Sequence, residues 1–145
     1  MVLVNFAGTP ATGVVVVSDA ELTCNTPAHT PEGVVLVEVS TPGGSASAPL
    51  YEYMDPPDVA SVTPNKGTIA GGTPVTINGN DLAGATLATF DGLAAVITGG
   101  TDTAVYCTTP PHAAGLVDVK VTTAWGTDTA VGAYEYVSGP VVTSV

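Results

Sequence analysis

Residues 115–122 read GLVDVKVT, a segment in which apolar and polar side chains alternate. In an extended chain its three valines fall on one face, whereas Asp118 and Lys120 fall on the other. A period of two residues is typical of a β-strand with one buried face, and both Val and Thr favour strands. The segment therefore predicts a half-buried β-strand.

The same pattern occurs earlier in the chain, as GVVLVEVS at residues 33–40. Each copy is preceded by a Cys-to-His segment, CNTPAH at 24–29 and CTTPPH at 107–112, and these segments are 83 residues apart. Each copy is followed by the triplet YEY, at 51–53 and 134–136, also 83 residues apart. Self-similarity at a separation of 82 to 83 residues identifies a tandem duplication.

The two copies differ in completeness. The complete copy begins near Pro56 and ends near Val137, which predicts domains at 1–55, 56–138 and 139–145. The first domain has no counterpart of the stretch SVTPNKGTIAGGTPVTINGNDLA, so it is predicted to lack its opening strands. The last segment, GPVVTSV, repeats the opening strand of the complete copy.

Short strand signals separated by turn signals fill the complete copy. PVTINGN is predicted to run into an Asn-Gly turn at 78–79, TLATFDG into an Asp-Gly turn at 91–92, and a Gly-Gly turn is predicted at 99–100. No segment shows a sustained period of 3.6 residues. About seven short strands in a domain of this length predict an all-β fold, an antiparallel β-sandwich.

A series of short motifs runs in order through the complete copy: VTP at 62–64, GGT at 71–73, VTING at 75–79, FDG at 90–92, CTTPP at 107–111 and YEY at 134–136. This order resembles the IPT/TIG immunoglobulin-like domain family over residues 56–137, and residues 4–53 resemble it from the Phe-x-Gly element onward. The resemblance implies tandem immunoglobulin-like sandwiches. Such domains occur in cell-surface receptors, bacterial adhesins and virion proteins, beside carbohydrate-active enzymes, and in DNA-contacting form in some transcription factors.

The charge of the chain excludes several classes of partner. Thirteen acidic residues face only Lys66 and Lys120, without arginine, and the net charge is −11. Nucleic-acid binding depends on Lys and Arg contacts to phosphate, so neither DNA nor an anionic membrane surface is an expected partner. No stretch approaches the roughly 20 apolar residues of a membrane span. No signal peptide is visible at the N-terminus, because a basic and a long apolar region are both missing.

The Cys and His residues of the repeated motif are candidates for a chemical site. A zinc site needs about four converging ligands, whereas each copy offers one Cys and one His. A Cys–His nucleophile would need an electropositive setting to lower the thiol pKa, and this chain is strongly acidic. We therefore predict a buried strand Cys, a Thr-Pro turn and an exposed loop His, with no catalytic residue, metal or cofactor.

Acidic residues near the junctions between repeats raise the possibility of calcium. Calcium takes about six to eight oxygen ligands, and no Asp-x-Asp-x-Asp-Gly spacing occurs in the sequence. We interpret Glu52, Asp55, Asp58 and Glu135 as solvated acids.

Two features are not explained by the repeat and are candidate partner contacts. Trp125 follows the GLVDVKVT strand, and its counterpart in the first copy is Gly43, so the shared scaffold does not require it. Val141, Val142 and Val145 lie in the apolar tail, which either completes the first domain of another copy by strand exchange or belongs to a longer array.

The expected function is a non-enzymatic structural or adhesive role on an exterior surface, either a virion (as a decoration or tail protein) or a cell surface. The expected partner is protein, namely copies of the chain itself. The alternative is an accessory carbohydrate-binding module of a larger extracellular protein or enzyme, with a surface glycan as ligand.

Overall fold

A computed structural model describes residues 1–30 and 32–140 and divides the chain into two compact units, Met1–Met54 and Asp55–Val145. The described residues form strands and connecting turns without helix. No helix in this part of the chain is long and apolar enough to cross a membrane. The strands of the first unit are β1 (Leu3–Phe6), β2 (Thr9–Pro10), β3 (Thr12–Ser18), β4 (Glu21–Asn25), β5 (Gly33–Thr41) and β6 (Gly44–Tyr53). Those of the second are β7 (Asp58–Thr63), β8 (Lys66–Thr68), β9 (Pro74–Asn80), β10 (Leu87–Phe90), β11 (Leu93–Ala94), β12 (Val96–Gly100), β13 (Ala104–Thr108), β14 (Gly115–Thr123) and β15 (Gly126–Val137).

The second unit is a β-sandwich of two sheets. One sheet has the strand order β11-β10-β14-β15-β8 and the other has the order β12-β13-β9-β7. The pairings are antiparallel except that of β8 with β15, which is parallel. Strand β14 confirms the alternation in the sequence, since Val117, Val119 and Val121 are 4%, 0% and 0% exposed while Asp118 and Lys120 are exposed.

The core of the second unit is continuous between its two sheets. Its fully buried side chains include Ile77 of β9, Phe90 of β10, and both Tyr134 and Tyr136 of β15. Leu82, in the connection after β9, is 1% exposed and joins the same cluster. The segment from β7 to Leu82 therefore contributes apolar side chains to the core.

The first unit repeats six of these strands. Strands β2-β1-β5-β6 form one sheet and β3-β4 form a separate hairpin, matching β11-β10-β14-β15 and β12-β13. No counterparts of β7, β8 and β9 occur among its described residues. Its buried core consists of Val4, Phe6 and Val35, with other apolar side chains only partly covered.

Two of the predicted turns are wrong. Strand β9 continues through Asn78-Gly79, where Gly79 pairs with Val59 of β7 across an irregularity in the register. A Cβ at Gly79 would overlap the carbonyl oxygen of Asp58, so this glycine serves a close strand approach rather than a turn.

The predicted Gly-Gly turn also lies inside a strand, because β12 extends to Gly100. The turn follows it, closed by a 2.7 Å hydrogen bond from the Thr101 amide to the Ala104 carbonyl. The Asp-Gly turn is confirmed: Asp91 and Gly92 have φ of 50° and 81° between β10 and β11, as a type I′ hairpin requires.

Candidate functional site

The cysteine of the CTTPPH motif is a core residue. Cys107 lies on β13, is 2% exposed and belongs to the main core cluster. Burial raises the pKa of its thiol to about 11. The thiol therefore stays protonated at neutral pH, which disfavours a nucleophilic role because the thiolate is the reactive form.

The histidine of the same motif is held by polar contacts, contrary to the predicted exposed loop residue. The His112 side chain is 19% exposed, its Nε2 lies 2.9 Å from Oδ2 of Asp91, and its Nδ1 lies 2.7 Å from the Ala113 carbonyl oxygen. These hydrogen bonds, the Ala113 bond first, raise the pKa of the imidazole. His112 thus fastens the loop after β13 to the β10–β11 turn, because both ring nitrogens find acceptors.

A tyrosine of the YEY triplet completes this arrangement. The Tyr136 hydroxyl donates to the Pro110 carbonyl at 2.7 Å, and its ring stacks on the His112 ring with centroids 5.0 Å apart. Burial raises the pKa of Tyr136 to about 12, so its hydroxyl remains a donor at neutral pH.

The first unit has the same contacts at the equivalent positions. The Tyr53 hydroxyl donates to the Pro27 carbonyl at 2.9 Å, and the rings of Tyr53 and His29 stack at 4.8 Å. In both repeats the Pro and the Tyr are separated by the same number of residues. This spacing is the sequence signal for the pair. In both units the last Tyr of YEY therefore holds the loop of the Cys-to-His motif by a hydrogen bond and a ring contact, which indicates a structural role for both motifs.

Trp125 lies at the tip of the β14–β15 hairpin. Its side chain is 56% exposed, and its backbone amide donates to Thr123 Oγ1 at 3.2 Å. The matching hairpin of the first unit makes the same bond, from the Gly43 amide to Thr41 Oγ1 at 3.3 Å. Because the hairpin closes in the same way with glycine at this position, the turn does not require the indole.

The first unit presents an incomplete sheet, which we call the open edge and define as the side of β4 (Glu21–Asn25) away from β3. In the second unit the matching strand β13 lies between β12 and β9. Within residues 1–30 and 32–140, no strand pairs with the open edge. It therefore presents backbone donors and acceptors of the kind that another strand can pair with.

The missing strands also leave aromatic surface uncovered. Tyr134 is 0% exposed in the second unit, with its hydroxyl against Gly67 of β8, whereas its counterpart Tyr51 is 39% exposed. Of the predicted contact residues, Val141, Val142 and Val145 lie outside the described residues.

Comparison with protein-family models gives a match to the IPT/TIG domain over residues 2–53 and 57–136. Fibrocystin-L of Mus musculus is 42% identical over 66 residues, which are 45% of this chain and 2% of that protein. Fibrocystin-L of Homo sapiens is 41% identical over the same length and likewise has 2% of its length matched. The chain thus spans a small fraction of these curated relatives.

Two solved structures share the fold. The plexin A4 extracellular region, domains 1 to 10, superposes with a TM-score of 0.60 at 21% identity, over 94% of this chain and 13% of that one. SGBP-B from a complex xyloglucan utilization locus in Bacteroides uniformis gives 0.50 at 19% identity, over 91% of this chain and 41% of that one. The family match and these likenesses confirm the predicted tandem immunoglobulin-like β-sandwich fold.

Proposed function

The chain belongs to the IPT/TIG domain family, and we propose that it is a non-enzymatic, extracellular structural or adhesive protein that associates through strand addition at its first unit. The observation that carries the proposal is the open edge of β4, which the second unit covers with β9 and β7. Unpaired strand edges are templates for pairing with another chain, and backbone hydrogen bonds then supply the affinity.

The setting we propose is the outside of a cell. The plexin A4 structure is described as an extracellular region, and that supports a cell-surface setting for this chain over a virion. The absence of arginine and the net charge of −11 agree with a protein that does not bind nucleic acid. The raised pKa of Cys107 supports a role without covalent catalysis.

The partner we propose is a second copy of the same chain. Residues 139–145 repeat the sequence of β7 and contain no charged side chain, so they can approach an acidic protein without charge repulsion. The tail of one copy, with Val141, Val142 and Val145, adds to the open edge of the next. Head-to-tail repetition of such a contact builds a filament or a ring.

Light scattering of the intact chain and of a chain ending at Ser138 tests this assembly. We expect the intact chain to form species larger than a monomer in a concentration-dependent way, and the shortened chain to remain monomeric. A monomer in both cases contradicts self-assembly through the tail. Circular dichroism of the shortened chain serves as the control for folding.

A second candidate function is glycan binding by Trp125, favoured by its 56% exposed indole. Aromatic rings stack on sugars, and SGBP-B, whose fold is similar, comes from a xyloglucan utilization locus. Binding of a xyloglucan oligosaccharide that is lost in Trp125→Ala and kept in Leu116→Ala, a control at another exposed apolar residue of this unit, supports this function. No binding at millimolar sugar removes it.

A further inference from the structure

The open edge of the first unit adjoins a cavity of about 380 Å³. Its apolar lining includes Val16 of β3, Leu22 of β4 and Val39 of β5, so it lies between the hairpin and the larger sheet of this unit. Val15, Val16 and Val17 are each more than half exposed, which is unusual for consecutive valines of a sandwich strand.

The second unit identifies what is missing from this cavity. The cross-strand pair Val16–Leu22 of the first hairpin corresponds to the pair Gly100–Val105 of β12 and β13. Gly100 and Val105 line a smaller cavity together with Leu82, which is 1% exposed. In the complete unit, a leucine just after β9 thus narrows the equivalent space to about 280 Å³.

Strand β9 itself defines how a missing strand would be aligned. Val75 pairs with Cys107 and Ile77 pairs with Val105, and both β9 side chains are buried. In the first unit the residues equivalent to Cys107 and Val105 are Cys24 and Leu22, which are only partly buried. An antiparallel strand with apolar residues at the positions of Val75 and Ile77 would cover both Cys24 and Leu22.

We infer that the open edge and the cavity together form a docking site for an extended segment of a partner protein with the pattern of residues 74–82. The segment places two aliphatic side chains over Cys24 and Leu22, and a bulky aliphatic side chain five residues further on enters the cavity. Residues 1–54 contain five acidic residues and no Lys or Arg, so a neutral or basic segment is favoured.

This inference rests on the proposed function in one respect, since both require strand addition at β4. The two differ in the segment that supplies the added strand. If Val141 is placed where β9 has Val75, Thr143 falls where β9 has Ile77, so the tail covers the edge less completely. A partner segment of the β9 type therefore covers the edge more completely than the tail does.

Disulfide capture on the intact chain tests the site with synthetic peptides of residues 73–83, TPVTINGNDLA. One peptide carries Cys in place of Val75 and the other Cys in place of Thr76, each activated as a mixed disulfide. The register places position 75 opposite Cys24 and position 76 opposite Thr23. Directly opposed strand residues lie within the Cα separation of a disulfide. Peptide mapping by mass spectrometry separates Cys24 from the buried Cys107.

We expect capture at Cys24 by the position-75 peptide to be at least about tenfold faster than by the position-76 peptide. Leu82→Ala in the peptide is expected to weaken capture by about tenfold or more, because a buried leucine is lost. Val16→Phe in the chain fills the cavity and weakens capture in the same way, whereas Val34→Phe, at an exposed valine outside the cavity lining, leaves it unchanged.

Equal capture in both registers, no effect of Leu82→Ala, or equally fast capture by a cysteine-containing peptide of residues 139–145 would overturn the inference. Its failure is separate from that of the proposed function. A monomeric intact chain with register-specific capture contradicts self-assembly alone, and tail-dependent assembly without such capture contradicts the partner segment alone.

Discussion

At the scale of single residues, the YEY triplet shows how neighbouring tyrosines take different roles. The Tyr136 hydroxyl has the Pro110 carbonyl as its acceptor, whereas the buried Tyr134 hydroxyl has no hydrogen-bond partner among the described residues. Both rings pack in the core, and Tyr134 also packs edge-on against Phe90 at 5.2 Å. Both rings thus contribute buried apolar surface, whereas only the Tyr136 hydroxyl contributes a hydrogen bond.

Tyr136→Phe is expected to lower the free energy of unfolding by about 1–3 kcal/mol, since it removes a hydrogen bond and leaves the partly buried Pro110 carbonyl without this donor. Tyr134→Phe is the matched control and is expected to leave stability unchanged or slightly increased, because it removes an unpaired buried hydroxyl. Urea denaturation followed by fluorescence measures both. Equal losses in the two variants would contradict the assignment.

His112 gives the second unit a pH dependence of known sign. Both ring nitrogens face acceptors, so the doubly protonated ring satisfies both and the neutral ring only one. The pKa is raised above 6.5, mainly by the bond to the Ala113 carbonyl. Its stabilisation is therefore complete below the unfolded-state pKa and is lost as the pH rises through the folded-state pKa.

We expect the stability difference between the wild type and His112→Asn to be largest near about pH 5.5 and to shrink towards about pH 8.5. Thermal unfolding of both proteins across this range measures the difference and cancels the contribution of the many carboxylates. Asp91→Asn is expected to flatten the same profile. A difference that grows with pH would contradict the proposed protonation of His112.

At the scale of elements, the β7–β9 pair depends on a close backbone approach and a side-chain anchor. Gly79 faces the Asp58 carbonyl where the register shifts, and the Val59 amide donates to Oδ2 of Asp128 on β15 at 2.7 Å. This bond ties the opening strand to the opposite sheet. The first unit has Ala46 at the position of Asp128, so a strand added there lacks this anchor.

Gly79→Ala is expected to destabilise the second unit by about 1–3 kcal/mol, because the added methyl group forces β7 away from β9. Gly99→Ala on β12 is the matched control, since a Cβ there meets Tyr106 at 3.7 Å, an ordinary van der Waals contact. Hydrogen exchange of the β7 and β9 amides, together with urea denaturation, measures the effect. Comparable losses in the two variants would show that strand approach is not the cause.

At the scale of the whole molecule, the two units have unequal cores. The second has a continuous cluster that includes Ile77, Phe90 and both tyrosines of its YEY triplet, whereas the buried cluster of the first consists of Val4, Phe6 and Val35. Buried apolar area is the main stabilising contribution in a small domain, so the first unit is expected to be the less stable one.

We expect amides of β3 and β4 to exchange with solvent at least about tenfold faster than those of β12 and β13. Native-state hydrogen exchange with mass spectrometry measures both hairpins in one sample of the shortened chain ending at Ser138, which avoids protection by the tail. Equal protection of the two hairpins would contradict the view that the first unit is incomplete.

The sequence alone determined the all-β fold, the tandem repeat and the family, because alternation and a constant repeat separation are local or pairwise properties of the chain. It predicted the buried face of β14 and the Asp-Gly turn, and it identified Trp125 as a residue that the repeat does not require. The Asn-Gly and Gly-Gly turns were wrong, since glycine also permits close strand contact and its neighbours alone do not distinguish the two uses.

Tertiary structure alone decided the partners of His112 and the shape of the open edge. Asp91 is remote from His112 in the sequence, and the bond between them depends on how two turns meet. The cavity beside β4 lies where the second unit has Leu82, and this correspondence is a property of packing and not of residue order. Long-range packing therefore decided which strand edge of the first unit is unpaired among the described residues.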